Sequence, residues 1–161
     1  ENTPFGVTWL AEGQEVQTPG QTPRLHPWGC MATVRRFEAL QPALFQVDCQ
    51  GGLRFRVGEI ARGPLGVWVA AVEHLEPDPA VSIPPALQYL ADRLGSLIAE
   101  HQGTGFAPNL ALYRPFRLDE CGWVANRWAE MLPFSTEDKL RLLAEMDPLE
   151  RLQLVSQWVG S

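Results

Sequence analysis

Residues 119–159 constrain the fold more than any other stretch, because they hold three amphipathic helical patterns with very short connections. Ser135 and Asp147 occupy N-cap positions, where a short side-chain oxygen can accept a hydrogen bond from a helix N–H group. Pro148 then falls at the first helical position, and Glu150 completes a capping-box pattern. The apolar stripes, at helical spacing, are Val124, Trp128, Met131 and Leu132; Leu140, Leu143 and Met146; and Leu149, Leu152, Val155 and Val159. Such helices can bury these stripes only by packing against one another and against a further element.

The first 80 residues favour strands instead of helices. Short apolar or alternating segments, separated by turn residues, fall at residues 5–10, 29–38, 44–49, 53–57 and 67–72. Residues 5–10 predict a buried strand, and residues 12–28 predict a short strand followed by an exposed loop. Gly51 and Gly52 predict the turn of a hairpin between two alternating segments. Five or six short strands of this kind are typical of an antiparallel barrel or sandwich.

A proline-rich connector at residues 77–85 predicts the boundary between these two halves. We therefore expect an α+β chain with a β part at residues 1–80 and a helical part at residues 81–161. The helices are predicted at about residues 84–102, 119–132, 135–146 and 148–159. A Pro-bearing loop at residues 106–118 carries aromatic residues into the last three helices.

Charge and composition narrow the possible functions. The net charge of −6 argues against broad nucleic-acid binding, which needs clustered basic residues. Five arginines on the β half could contact RNA or an acidic peptide, although alternation with apolar residues more often marks a solvated strand face: Arg35, Arg36, Arg54, Arg56 and Arg62. The three widely spaced cysteines are typical of reduced thiols in a cytoplasmic protein. No apolar run is long enough to span a bilayer, and no signal peptide is evident.

The motifs of catalysis are missing from the sequence. There is no phosphate-binding glycine loop and no zinc-binding H-E-x-x-H, and the three histidines are not spaced as metal ligands. Cys121 lies in the first turn of a predicted helix, where the helix dipole could lower its pKa, but a packed thiol is the simpler interpretation. Glu73 and Glu76 are the carboxylate pair that a hydrolase would require. We predict no catalytic residue, no metal and no cofactor.

The region around the junction of the two halves is rich in aromatic residues, most of them expected in the core: Trp68, Tyr113, Phe116, Trp123, Trp128 and Trp158. The loop that holds Tyr113, Arg114, Phe116 and Arg117 is the stretch best placed to face a partner, together with the nearby Trp123. These five residues are the predicted binding site.

The order of motifs resembles the N-terminal, substrate-binding domain of the Lon protease family, in particular the small bacterial proteins that consist of that domain alone. The similar segments are FGVTWLAEGQEV, GCMATVRRFEAL, GGLRFRV, VWVAAVEHLEPDP and ANRWAEMLPFSTEDKLRLLAEMDPLERLQLV, the last with the pattern K-x-x-L-L-x-x-x-D-x-x-x-R-L. They occur in the family's order and cover essentially the whole chain. The family's opening P-L-F-P-L-like strand and F-E-x-R-Y-like helix start are not found. Two interpretations stay open: if the segment is absent, the barrel lacks a strand and exposes a sheet edge, and if it was removed or is disordered, the fold is intact.

This resemblance implies a PUA-like antiparallel β pseudo-barrel followed by a C-terminal helical bundle. It implies a non-catalytic module that binds unfolded or exposed peptide segments, an adaptor in protein quality control that could act with a protease. The ATPase and peptidase motifs of the full-length family members are not found, so proteolysis is not implied. Two alternatives stay open: an RNA-binding PUA-like protein and a hydrolase that uses Cys121 or the Glu73–Glu76 pair. The sequence leaves the oligomeric state open.

Overall fold

The computed structural model describes residues 3–12, 20, 22–104 and 112–159, and for 101–104 it describes the backbone alone. These residues form two compact units, Glu1–Pro77 and Asp78–Ser161, which we call the sheet unit and the helical unit. Residues 13–19 and 21 of the strand and loop predicted at 12–28, and residues 106–111 of the loop predicted at 106–118, lie outside the described residues.

The sheet unit is a four-stranded antiparallel sheet in the order β1-β2-β3-β4. The strands are β1 (Phe5–Glu12), β2 (Arg24–Gln41), β3 (Leu44–Arg62) and β4 (Trp68–His74). A short 3-10 turn, Pro64–Gly66, connects β3 to β4, where the sequence predicted a turn. The prediction of five or six short strands was wrong, because β2 and β3 are each 18 or more residues long. Their β-bulges bend the strands without ending them.

The predicted turn at Gly51 and Gly52 was also wrong. These glycines lie inside β3. Cys30 pairs with Arg54 and Ala32 pairs with Gly51, so β3 spans three residues where β2 spans two. This is a β-bulge, which glycine favours as readily as a turn. The β2–β3 turn lies at Pro42 and Ala43 instead, and Ala43 has a φ of 66°. The exposed loop predicted for residues 12–28 is corrected in the same way, because Arg24 already begins β2.

Strand β1 is not buried as predicted, since Phe5, Val7 and Trp9 are 44–53% exposed. The buried apolar side chains of the sheet unit, among the described residues, are Ala32 and Phe55. The Phe55 ring lies so close to Gly29 that a Cβ there would be 2.4 Å from it. The apolar pattern of β1 identified a strand but could not show whether another layer covers it.

The helical unit contains α1 (Gln88–Thr104), α2 (Cys121–Met131), α3 (Thr136–Ala144) and α4 (Pro148–Val159). A 3-10 turn, Pro85–Leu87, leads into α1. One core cluster joins all four helices and is formed by Leu90, Ala91, Leu94, Ile98, Cys121, Val124, Ala125, Trp128, Leu142, Leu152 and Val155. The stripe predicted for α3 was wrong, because Leu142 is buried whereas Met146 is 39% exposed.

The caps form largely as predicted. The Asp138 N–H donates to Ser135 Oγ at 3.1 Å, and the Leu149 N–H donates to Asp147 Oδ1 at 2.8 Å. The capping-box role assigned to Glu150 was wrong, because the Asp147 N–H donates to Glu145 Oε1 at 2.9 Å. The bond to the N-cap N–H that a capping box assigns to Glu150 is therefore accepted by Glu145, two residues before the N-cap.

Candidate functional site

An extended segment before α1 is tied to the start of α2. Ser82 and Glu120 form an antiparallel β-bridge, and the Cys121 N–H donates to Val81 O at 2.8 Å. The backbone of residues 118–121 is therefore fixed beside residues 81–83. This pairing places the predicted binding loop next to the 3-10 turn that precedes α1.

Phe116 and Trp123 lie next to each other with their rings tilted by 52°, and an arginine lies over each ring. Their ring centroids are 6.2 Å apart. The Arg114 guanidinium carbon lies 5.4 Å from the Phe116 centroid, and that of Arg127 lies 5.4 Å from the Trp123 centroid. Both distances are within the range of a cation–π interaction. We call Arg114, Phe116, Trp123 and Arg127 the Arg–aromatic stack.

The structure thus brings together three of the five predicted site residues: Arg114, Phe116 and Trp123. Arg117 lies in the same loop and pairs with Glu120 at 3.5 Å, and Tyr113 is half-buried. Sequence reasoning missed Arg127. A usable signal was present, because Trp123 and Arg127 are four residues apart and so share one face of α2.

A shallow open groove of about 440 Å³ runs beside the stack. Phe116 belongs to both, and the remaining lining residues are Ser82, Ile83, Gln88, Leu118 and Asp119. Ile83, Phe116 and Leu118 give the groove an apolar surface, and the other three side chains can hydrogen-bond to a ligand. Such a mixture suits a ligand with an apolar side chain and nearby polar backbone groups.

The charges around the stack are mostly paired within the protein. Arg127 donates to Glu130 at 2.5 Å, but its Nε is buried without a hydrogen-bond partner among the described residues. The Arg114 side chain is exposed and rests on Phe116. A cation held against an aromatic ring in this way loses little further conformational freedom when an acceptor binds it.

A buried ion pair supports this side of the helical unit. Arg151 is 1% exposed, and its guanidinium forms two bonds with Asp78, at 2.5 and 3.1 Å. It also donates to Glu145 O at 2.6 and 3.1 Å and to Asn126 Oδ1 at 3.3 Å. Gly122 leaves room for the pair, because a Cβ there would be 2.8 Å from Asp78 Oδ2. Residue patterns missed the pair, although Asp78 and Arg151 each lie within one of the family-like segments quoted above.

The cysteine proposed as a nucleophile is a core residue. Cys121 is 0% exposed, and its thiol donates to Ser82 O at 3.4 Å. Burial raises the pKa of this thiol, and the nearby Asp147 charge adds to the effect, whereas a backbone hydrogen bond opposes it. A raised pKa favours the neutral thiol, which is a poor nucleophile. Glu73 and Glu76 are both exposed at the end of the sheet unit, so neither version of the hydrolase hypothesis gains support.

The arginines of the β half do not form one basic surface patch. Arg36 pairs with Glu38, and Arg35 donates to Gln50 Oε1. Arg56 and Arg62 lie over the rings of Trp28 and Trp68, at 4.8 and 4.4 Å. RNA binding is therefore not the favoured interpretation.

Metal and membrane features were also sought in the part of the chain that the structure describes. Within it, no three His, Cys, Asp or Glu residues are grouped so as to hold a metal ion. No helix in the described ranges has the length and apolar character needed to cross a membrane.

Comparison with known proteins agrees with the resemblance predicted from the motifs. The family model for the ATP-dependent protease La (LON) substrate-binding domain matches residues 1–160. A Lon N-terminal domain protein from Xanthomonas campestris has a similar structure, with a TM-score of 0.63 and 22% identity; the match covers 98% of this chain and 90% of that one. The N-terminal domain of a Mycobacterium avium complex Lon protease gives a TM-score of 0.55 and 13% identity, with 99% and 91% covered.

At these identities the two structures show a shared fold and nothing finer. A search of curated proteins gave no match. The family model alone nevertheless spans nearly the whole sequence. The chain therefore belongs to the ATP-dependent protease La (LON) substrate-binding domain family.

Proposed function

We propose that this protein is a non-catalytic module that binds exposed peptide segments through the groove and the Arg–aromatic stack of the helical unit. One observation carries the proposal: Phe116 lines the groove and at the same time lies between the Arg114 guanidinium and the tilted Trp123 ring. The family match to a substrate-binding domain supports a protein or peptide as the ligand.

The groove suits a short stretch of polypeptide. Its volume of about 440 Å³ is at the smaller end of ligand sites and is sufficient for one or two side chains. An apolar side chain would contact Ile83, Phe116 and Leu118, while Gln88 and Ser82 would hydrogen-bond to the peptide backbone. The exposed Arg114 would attract a carbonyl or carboxylate of the ligand.

We further propose a cytoplasmic role as an adaptor in protein quality control, in which a bound segment is passed to a protease. The family name supports this role, because it describes a substrate-binding part of an ATP-dependent protease. We also assign the sheet unit to the PUA-like pseudo-barrel and the helical unit to the C-terminal bundle. The antiparallel strand order and the extent of the structural matches support that assignment.

A fluorescence-anisotropy titration tests the binding site. The complete chain is titrated into labelled segments of an unfolded protein, beside Phe116→Ala and Arg114→Ala variants. The matched control is Met146→Ala, which also removes an exposed apolar side chain from the helical unit but does not line the groove. Loss of a central aromatic contact typically costs at least 1–2 kcal/mol, so Phe116→Ala should weaken binding by about 5- to 30-fold.

Arg114→Ala should weaken binding by a smaller factor, and Met146→Ala should leave it unchanged. Because Phe116 also packs against the core, circular dichroism must show that its variant is folded. The exposed Arg114 gives an independent test without that complication. The proposal fails if the wild-type chain shows no saturable binding, or if all three variants bind equally well.

A further inference from the structure

The β2–β3 hairpin extends beyond both outer strands of the sheet. Strand β1 pairs with β2 only as far as Ala32, and the pairing of β4 with β3 begins at Phe55. Residues 36–48 therefore form a two-stranded ribbon beyond the pairings of β1 and β4 in the described part of the chain. Two-stranded ribbons are at best marginally stable in water unless one face is covered.

Away from its tip, the two faces of this ribbon differ in chemistry. The cross-strand pairs Phe37–Val47, Ala39–Phe45 and Val34–Cys49 place these residues on one face, because side chains alternate along a strand. Stacking of the Phe37 and Phe45 rings, with centroids 5.1 Å apart, agrees with this assignment. The opposite face carries Arg36, Glu38, Gln46, Asp48, and Gln50 with its partner Arg35. We call the first set the apolar ribbon face.

The apolar ribbon face is open to solvent. Phe37, Phe45 and Val47 are 63%, 54% and 44% exposed, and Cys49 is also exposed. At the tip of the hairpin Leu40 and Leu44 are also exposed, at 52% and 51%, but strand alternation places them on the side opposite Phe45, outside the apolar ribbon face. A contiguous apolar surface such as the apolar ribbon face normally marks an interaction site.

Charge and area together indicate which partner covers the apolar ribbon face. The chain has a net charge of −6, but residues 34–50 contain two arginines, one glutamate and one aspartate and are therefore neutral. Because this segment carries no net charge, two copies can approach each other through it with less electrostatic repulsion than through the acidic parts of the chain. Aromatic side chains bury about 150–250 Å² each, so the exposed parts of Phe37 and Phe45 from two copies amount to roughly 450 Å². With the smaller residues of the same face the interface reaches about 800 Å², which is below the ~1,000 Å² of a stable interface and fits a weak, transient contact.

We propose that the apolar ribbon face is a self-association surface that packs against the same face of a second copy of this chain. A symmetric contact of this kind is self-complementary and leaves both polar faces in water. The small area makes it a weak dimer whose population depends on concentration. This inference concerns the sheet unit and does not depend on the peptide site of the helical unit.

Three adjacent serine substitutions test the proposal, since Phe45, Gln46 and Val47 point to alternating faces of β3. Sedimentation velocity of the complete chain should show a monomer–dimer equilibrium between about 1 μM and 1 mM. Phe45→Ser and Val47→Ser should each raise the dissociation constant at least tenfold. Gln46→Ser, the matched control on the polar face, should leave it within about twofold. All three positions are half-buried or exposed, so the variants should fold, and circular dichroism checks this.

Salt gives a second readout. Raising the ionic strength screens the charge of −6 on each copy and should tighten an apolar contact, whereas it would weaken one made by ion pairs. Wild-type chain that stays monomeric up to about 1 mM would overturn the proposal. Equal dissociation constants for the three serine variants would also overturn it. If the wild-type chain is a monomer and Phe45→Ser abolishes its binding to unfolded segments, the apolar ribbon face binds a peptide and not a second copy.

Discussion

Replacing Asp78 by Asn should lower the free energy of unfolding of the helical unit by about 3 kcal/mol. The change removes the carboxylate charge that faces a guanidinium only 1% exposed. Removal of one partner of a buried ion pair typically costs about 3–5 kcal/mol, because the other charge stays desolvated and uncompensated. The lower end applies here, since Arg151 keeps its bonds to Glu145 O and Asn126 Oδ1 and the new amide oxygen can still accept a bond.

A double-mutant cycle isolates the pair from other effects of the substitution. Asp78→Asn, Arg151→Met and the double variant are unfolded with urea and followed by the helical circular-dichroism signal, because all four helices lie in the helical unit. Coupling between directly bonded groups should make the double variant about 1–3 kcal/mol more stable than the sum of the single effects predicts. Arg141→Met, at an exposed position of α3, serves as a control and should stay within about 0.5 kcal/mol of wild type. The reasoning is refuted if Asp78→Asn costs less than about 1 kcal/mol or if the effects simply add.

Three smaller changes probe other contacts. Gly29→Ala should destabilise the sheet unit by about 1–3 kcal/mol in urea unfolding, because the new Cβ would be 2.4 Å from the Phe55 ring. Unchanged stability would mean that the Phe55 ring moves away freely. Ser135→Ala should cost the helical unit about 1 kcal/mol through loss of an N-cap, and Ser135→Asp should restore it; equal stability of all three chains would contradict the cap. Burial raises the pKa of the Cys121 thiol in the folded state. Above about pH 8.5 the unfolded chain therefore loses this proton while the folded chain keeps it. The free energy of unfolding should consequently fall as the pH rises through this range. The difference between wild type and Cys121→Ser isolates that contribution, and a pH-independent difference would count against it.

Local sequence signals predicted the two N-caps of the helical unit. A helix cap depends on a side chain and the backbone within three residues, so Ser135 and Asp147 could be recognised without any tertiary information. Phe116 and Trp123 were predicted as binding residues from their position near the loop, but their mutual contact was not predicted.

Features set by distant partners could not be predicted in the same way. Asp78 and Arg151 are 73 residues apart, and neither stands out by residue type among the charged residues around it. On α3, Leu142 and Leu143 are adjacent, so the choice of which one faces the core depends on the other helices. Gly51 and Gly52 are compatible with a turn and with a bulge, and the pairing of β3 with β2 decides between them.

The central claim is that a peptide binds beside Phe116, and chemical-shift mapping by NMR tests it most directly. The isotopically labelled full chain is titrated with an unlabelled apolar peptide that carries one acidic residue. The account predicts saturable shifts of amide signals from residues 82–88 and 114–127, with the sheet unit unaffected. Shifts confined to residues 34–50, or no shift at concentrations where binding is detected by anisotropy, would contradict it.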